Sequence, residues 1–214
     1  MIATTTARTT IRDHGTSVLT FRRVEGETSP PDGEYALRGG ICWPICVEPA
    51  TGRIEGFAVV AAHHLASHAT WVLAQTPWVA IDHVQDRAGA IQYQGLCGWL
   101  VESWAQWYAD TYAWRQPWHT CRRYLTQMLR SPLIQPKPHL IELEWSRDAD
   151  ARAIVAEIEA TGKLKYPAQS PLHVALQEYA AAEPSERDRF PAVHALTCAL
   201  FALTTATRPT PAKR

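Results

Sequence analysis

The hydrophobic pattern of this chain changes period near Gly95, and that change limits the fold more than any other feature. Before it, short apolar runs separated by turn residues read as strands. After it, apolar residues recur at spacings of three and four, which is helical. One segment breaks the second rule: His139–Trp145 (HLIELEW) alternates Ile141, Leu143 and Trp145 against Glu142 and Glu144, the mark of a strand with one buried face. A β-rich 17–94, a mainly helical 95–206 and one returning strand near 139–145 predict an α+β fold. In it, an N-terminal antiparallel sheet packs against a C-terminal helical layer. The returning strand would tie both halves into one core, so residues 1–214 are expected to form a single domain, with flexible tails at 1–14 and 207–214.

Within the first half, Ser17–Val24 reads as a strand and Gly26–Gly33, with Pro30 and Pro31, as a loop. Glu34–Val47 and Arg53–Ala62 flank a turn at Pro49–Gly52 and form a hairpin, in which Gly39 and Gly40 suggest a bulge or bend and Pro44 an edge or a break. Ala69–Thr76, Trp78–His83 and Ala90–Gln94 supply further strands. In the second half, Leu96–Trp114 reads as a helix with Cys97, Val101, Trp104, Tyr108 and Tyr112 inward, followed by a second helix from Pro117 to about Ser131. Three more helices follow: one after Ser146 and ended by Gly162, one from Ser170 and Pro171 to Ala182, and one from Pro191.

Charge excludes a simple electrostatic identity, because 21 Lys and Arg balance 21 Asp and Glu. Any charge-driven contact has to be local. Five scattered cysteines read as reduced thiols rather than a disulfide framework. With no apolar leader near Met1, and with Pro191–Ala206 too short to span a bilayer, a soluble cytoplasmic protein with no membrane contact is expected.

Motifs for acyl transfer, phosphate cradling and dinucleotide binding are missing, so no catalytic residue is identified and no cofactor is expected. Cys42, Cys46, His63 and His68 loosely follow a zinc-ligand spacing. The hairpin reading opposes it, since it leaves Cys46 about eight residues of strand, roughly 25 Å, from His63. His63, His64, His68 and His83 form the alternative cluster, which would make a small metal-dependent hydrolase. The glutamate that follows the first histidine in a metalloprotease helix is Leu65 here, which removes that general base.

The strongest local signal is the interval from Thr111 to Ile141, which carries Arg115, Arg122, Arg123, Arg130 and Lys137 and no acidic residue. With His119 and Trp118 beside them, these cations form a basic, aromatic-flanked face suited to phosphate oxygens and unpaired bases, or to a protein partner. The expected function is therefore a non-enzymatic binding or assembly subunit. Its partner would be a protein or a second copy, with nucleic acid as the more specific ligand and Arg115, Trp118, His119, Arg122, Arg123, Arg130 and Lys137 as contacts.

Overall fold

The computed structural model describes residues 7–11, 16–21, 29–42, 57–76, 83–85, 91–93, 106–107, 109, 111–115, 139–143, 148–167, 170–183, 185 and 190–206. Their architecture is α+β: a mixed eight-stranded sheet, a separate two-stranded ribbon and three long helices. Ten strands run in chain order. They are β1 (Ala7–Ile11), β2 (Thr16–Phe21), β3 (Gly33–Cys42), β4 (Phe57–His64), β5 (Thr70–Thr76), β6 (His83–Gln85), β7 (Ile91–Tyr93), β8 (Thr111–Arg115), β9 (His139–Glu142) and β10 (Leu164–Lys165). The helices are α1 (Asp148–Ala160), α2 (Pro171–Ala181) and α3 (Pro191–Ala206).

β3 is the hub. Antiparallel pairing with β4 runs without a break from Tyr35↔His64 to Cys42↔Phe57, and β5 extends the meander beyond β4. The other flank of β3 is divided: β2 pairs with Gly33–Ala36, and β8 pairs with Arg38–Cys42 in parallel. The sheet therefore forks at Leu37, with the β1–β2 hairpin on one branch and the parallel pair β8–β9 on the other.

Both faces of the hub are buried, which is what strands as uniformly apolar as FAVVAA require. On one face, Ala36, Cys42, Val59, Ala61 and Val72 meet Ala192, Ala195, Leu196, Ala199 and Leu200 of α3, with Leu172 and Leu176 of α2. A second stripe of α3, Cys198, Phe201 and Ala202, covers Ala113 of β8 and Leu143 just past β9. On the opposite face Leu37, Ile41, Ala58, Val60, Ala62 and Tyr112 are equally buried. The expected central helix is thus found, and its buried Thr197 is satisfied locally: the hydroxyl donates to the Val193 carbonyl at 2.8 Å.

The predicted C-terminal helices have the predicted ends. Ser170 caps α2 by accepting from the His173 amide at 3.2 Å, and Pro171 occupies the first turn. After α1, Gly162 adopts φ +67°; its amide bonds to the Glu159 carbonyl while the Lys163 amide reaches the Ile158 carbonyl, a complete Schellman motif. That turn delivers Leu164–Lys165 alongside β5 as β10, a parallel pairing too short to show in the sequence pattern.

Three expectations are corrected. Thr111–Arg115, read as the end of a helix from Leu96 to Trp114, is a strand; within that interval Gln106 and Trp107 are helical. TYAWR is rich in β-branched and aromatic residues, and wedged between β3 and β9 it has ladder partners on both sides. Gly39 and Gly40 make no bulge, since the register shift lies at Val60/Ala61 on β4. Residues 7–11, placed within a flexible tail, form β1, where threonine-rich sequence gains a full antiparallel partner in β2. The helix expected over 117–131, the Pro49–Gly52 turn and the tail at 207–214 lie outside the described residues.

Close approach explains the two glycines. A Cβ on Gly39 would sit 2.0 Å from the Tyr112 ring, and one on Gly40 would sit 1.9 Å from the Ala195 carbonyl oxygen and 2.4 Å from the Ala199 amide nitrogen. Gly40→Ala should therefore push α3 off the sheet and cost about 3 kcal/mol or more. Urea denaturation monitored by tryptophan fluorescence checks this; a loss under about 0.5 kcal/mol, the range of neutral surface changes, would contradict the packing.

Candidate functional site

Alternation along β4 decides what the histidines can do. His63 and His64 are consecutive in a strand, so their side chains leave opposite faces of the sheet. His63 is in register with Ala36 on the helix-covered face, and His64 with Tyr35 on the other.

On the helix-covered face, His63 Nδ1 lies 3.2 Å from Thr70 Oγ1, and its ring centroid lies 5.9 Å from that of His68. The tight β4–β5 connection sets His68 in place: its amide donates to the His64 carbonyl, and the His64 amide donates to the Ala69 carbonyl. Closing that turn puts His68 at φ +53°, a left-handed conformation uncommon among non-glycine residues, though histidine enters it more often than most. The Thr70 amide donates to the Lys163 carbonyl, which brings the Schellman turn against the same loop. Burial holds the His63 pKa below its usual value, and the charges of His68, His64 and Lys163 push the same way.

On the other face, His64 Nδ1 lies 2.7 Å from Ser67 Oγ and 3.3 Å from the Ser67 amide nitrogen. The amide can only donate, so Nδ1 is an acceptor and a neutral His64 carries its proton on Nε2. One lone pair is then shared by both donors of Ser67. His64 thereby closes the turn. Its ring packs 4.8 Å from Tyr35, and a Cβ on Gly33 would come within 2.6 Å of Nε2.

Tyr35 anchors this face. Its hydroxyl donates to the Pro31 carbonyl, its ring stands edge-on to Phe21, and Asp32 accepts from the Phe21 amide at 2.8 Å. Burial raises the Tyr35 pKa far above the usual tyrosine value, with the Asp32 charge adding to it.

The residues singled out from sequence are thus divided. His63 and His68 come together, His64 points away from them, and His83 belongs to the β6–β7 ribbon. Cys42 pairs with Phe57 at the far end of β4 from His63, six residues or about 20 Å away, which closes the two-cysteine, two-histidine zinc reading; Cys46 lies outside the described residues. No group of three or more histidine, cysteine or acidic side chains converges among the described residues. Arg115 ends β8 level with Cys42, whereas Trp118, His119, Arg122, Arg123, Arg130 and Lys137 lie outside the described residues. Pattern reading passed over Thr70, Lys163 and Ser67, which reach the histidines through the hairpin and the Schellman turn. It also passed over Arg38, 5% exposed within β3, whose guanidinium donates to its neighbour's carbonyl, Leu37, at 2.8 Å. A charged residue inside the run YALRGGIC was the signal available.

No helix among the described residues is long and apolar enough to cross a membrane. Comparison with known proteins finds no matching family and no curated protein of similar sequence.

Tyr35 gives a pH prediction. With its folded pKa raised, the neutral hydroxyl's contribution to stability is whole below about pH 10, the unfolded value, and is lost as pH rises above it. Tyr35→Phe should cost about 1 kcal/mol at neutral pH by removing the hydrogen bond. It should also flatten the alkaline loss. Urea midpoints between about pH 8 and 11 test both, and an unchanged alkaline slope in the variant would remove Tyr35 from the account.

Proposed function

We propose that this chain is a non-enzymatic binding subunit that contacts the phosphate backbone of nucleic acid through the basic interval leaving β8 at Arg115. The observation that carries this is the charge distribution: five cations and no acid between Thr111 and Ile141, in a chain whose 21 basic and 21 acidic residues balance as a whole. Such an interval attracts phosphate even when the whole protein is neutral, because screening leaves only charges within about 8–10 Å to act together. Arginine supplies four of the five, and its planar donor fork matches phosphate oxygens.

The sheet supports the reading by where it roots that interval. β3, β8 and β9 are parallel, so Cys42, Arg115 and Glu142 stand at one carboxyl edge. In open sheets with parallel strands, ligands settle outside the carboxyl ends, where chain crossovers leave a crevice. β8 ends at that edge and β9 begins at the opposite one, as parallel neighbours require. Trp118 and Tyr124 fall in the same stretch of sequence as the arginines, and aromatic residues suit the stacking of unpaired bases.

Reversing Arg122, Arg123 and Arg130 together to glutamate should abolish binding to a single-stranded oligonucleotide at low salt. Reversing Arg122 alone should lower the slope of log affinity against log salt by about 0.7 for each phosphate that its guanidinium neutralises. Fluorescence anisotropy across a salt series reads both. Unchanged affinity and slope would exclude nucleic acid, and a change of mass in solution for the triple variant instead would assign the face to self-assembly.

A further inference from the structure

We infer that His63 and His68 form an open two-imidazole site for a divalent cation of the zinc, nickel and copper class. Three observations on the β4–β5 connection converge on it, none of which involves the basic interval. The first is distance. With metal–nitrogen bonds of about 2.0–2.1 Å, two imidazoles sharing one ion have ring centroids about 5 Å apart at a tetrahedral angle and about 6.4 Å apart at the linear limit. The His63 and His68 centroids are 5.9 Å apart, with the ring planes inclined at 41°.

The second is the hydrogen bond on the back of His63. When Nδ1–H donates to Thr70 Oγ1, the free lone pair is on Nε2 and the ring cannot swing, which is the arrangement that outer hydroxyls and carbonyls impose on metal-bound imidazoles. Thr70 is itself 3% exposed and held by the backbone bond to Lys163, so this support is rigid.

The third is access. His68 takes the left-handed step of the turn, which histidine enters more readily than most residues, and its ring is exposed beside that of His63. Two imidazoles without a carboxylate select borderline transition cations over magnesium or calcium, which demand oxygen. Water fills the remaining coordination positions.

Lys163 stands close enough to act on His63 electrostatically, and its ammonium opposes any dication bound there. That opposition separates a metal site from an anion site built on the same residues. Calorimetric titration of the purified full chain with zinc or nickel chloride should show one equivalent bound. His68→Gly keeps the left-handed turn and should weaken binding at least tenfold while holding or raising the melting temperature. Thr70→Val should lose about tenfold by freeing the His63 ring. Lys163→Gln should tighten cation binding. Wild-type affinity in His68→Gly, absence of saturable binding, or weaker cation binding in Lys163→Gln would each overturn the assignment. Inorganic phosphate bound by the wild type but not by Lys163→Gln would replace it with an anion site.

Discussion

The structure depends on one approach that only glycine permits: that of α3 to β3 at Gly40, backbone to backbone. Immediately beside it Gly39 admits the Tyr112 ring from the other side, so the central strand is clamped at consecutive residues on opposite faces. This is why β3 can be sandwiched without a bulge. It is also why β8 has a place at all: its Tyr112 is in register with Gly39, and the missing side chain is the seat for the ring. Without that seat, nothing would set the height of the parallel branch of the fork on β3.

That clamp also explains which parts of the fold were legible in the sequence. Local chemistry announced the helices from Ser170 and from Pro191, and the stop at Gly162, because caps and prolines act within a few residues. The β3–β4 hairpin was legible for the same reason, through paired apolar runs. β8 was not. Tyr108 and Tyr112 fall four apart, a helical spacing, and five residues are too few for alternation to overrule it. What completes Thr111–Arg115 as a strand is its pairing with β3 and β9 and the seat that Gly39, some seventy positions earlier, leaves for Tyr112, tertiary facts that no local window contains.

The histidines show the same limit in reverse. Their closeness in sequence invited a single centre, yet adjacency in a strand is what separates His63 from His64, since neighbours point to opposite faces. His68 rejoins His63 only because the turn takes a left-handed step that nothing in the residues Leu65–His68 demands. Strand alternation at His63 was enough to divide the cluster; pairing it with His68 needed the turn.

The sheet also keeps Arg115 apart from the histidine pair. The carboxyl end of β4, with its histidines, lies at the amino edge of β3 and β8, because β4 runs antiparallel to them. Arg115 lies at the other edge, level with Cys42, six positions from the Ala36↔His63 pair or about 20 Å along β3. That exceeds the screening length of about 8–10 Å at moderate salt, so a cation on His63 and His68 contributes little to the potential felt by phosphate at Arg115. Communication between them would have to travel as displacement through β3, and β3 is the strand least free to shift, held by Tyr112 on one face and α3 on the other.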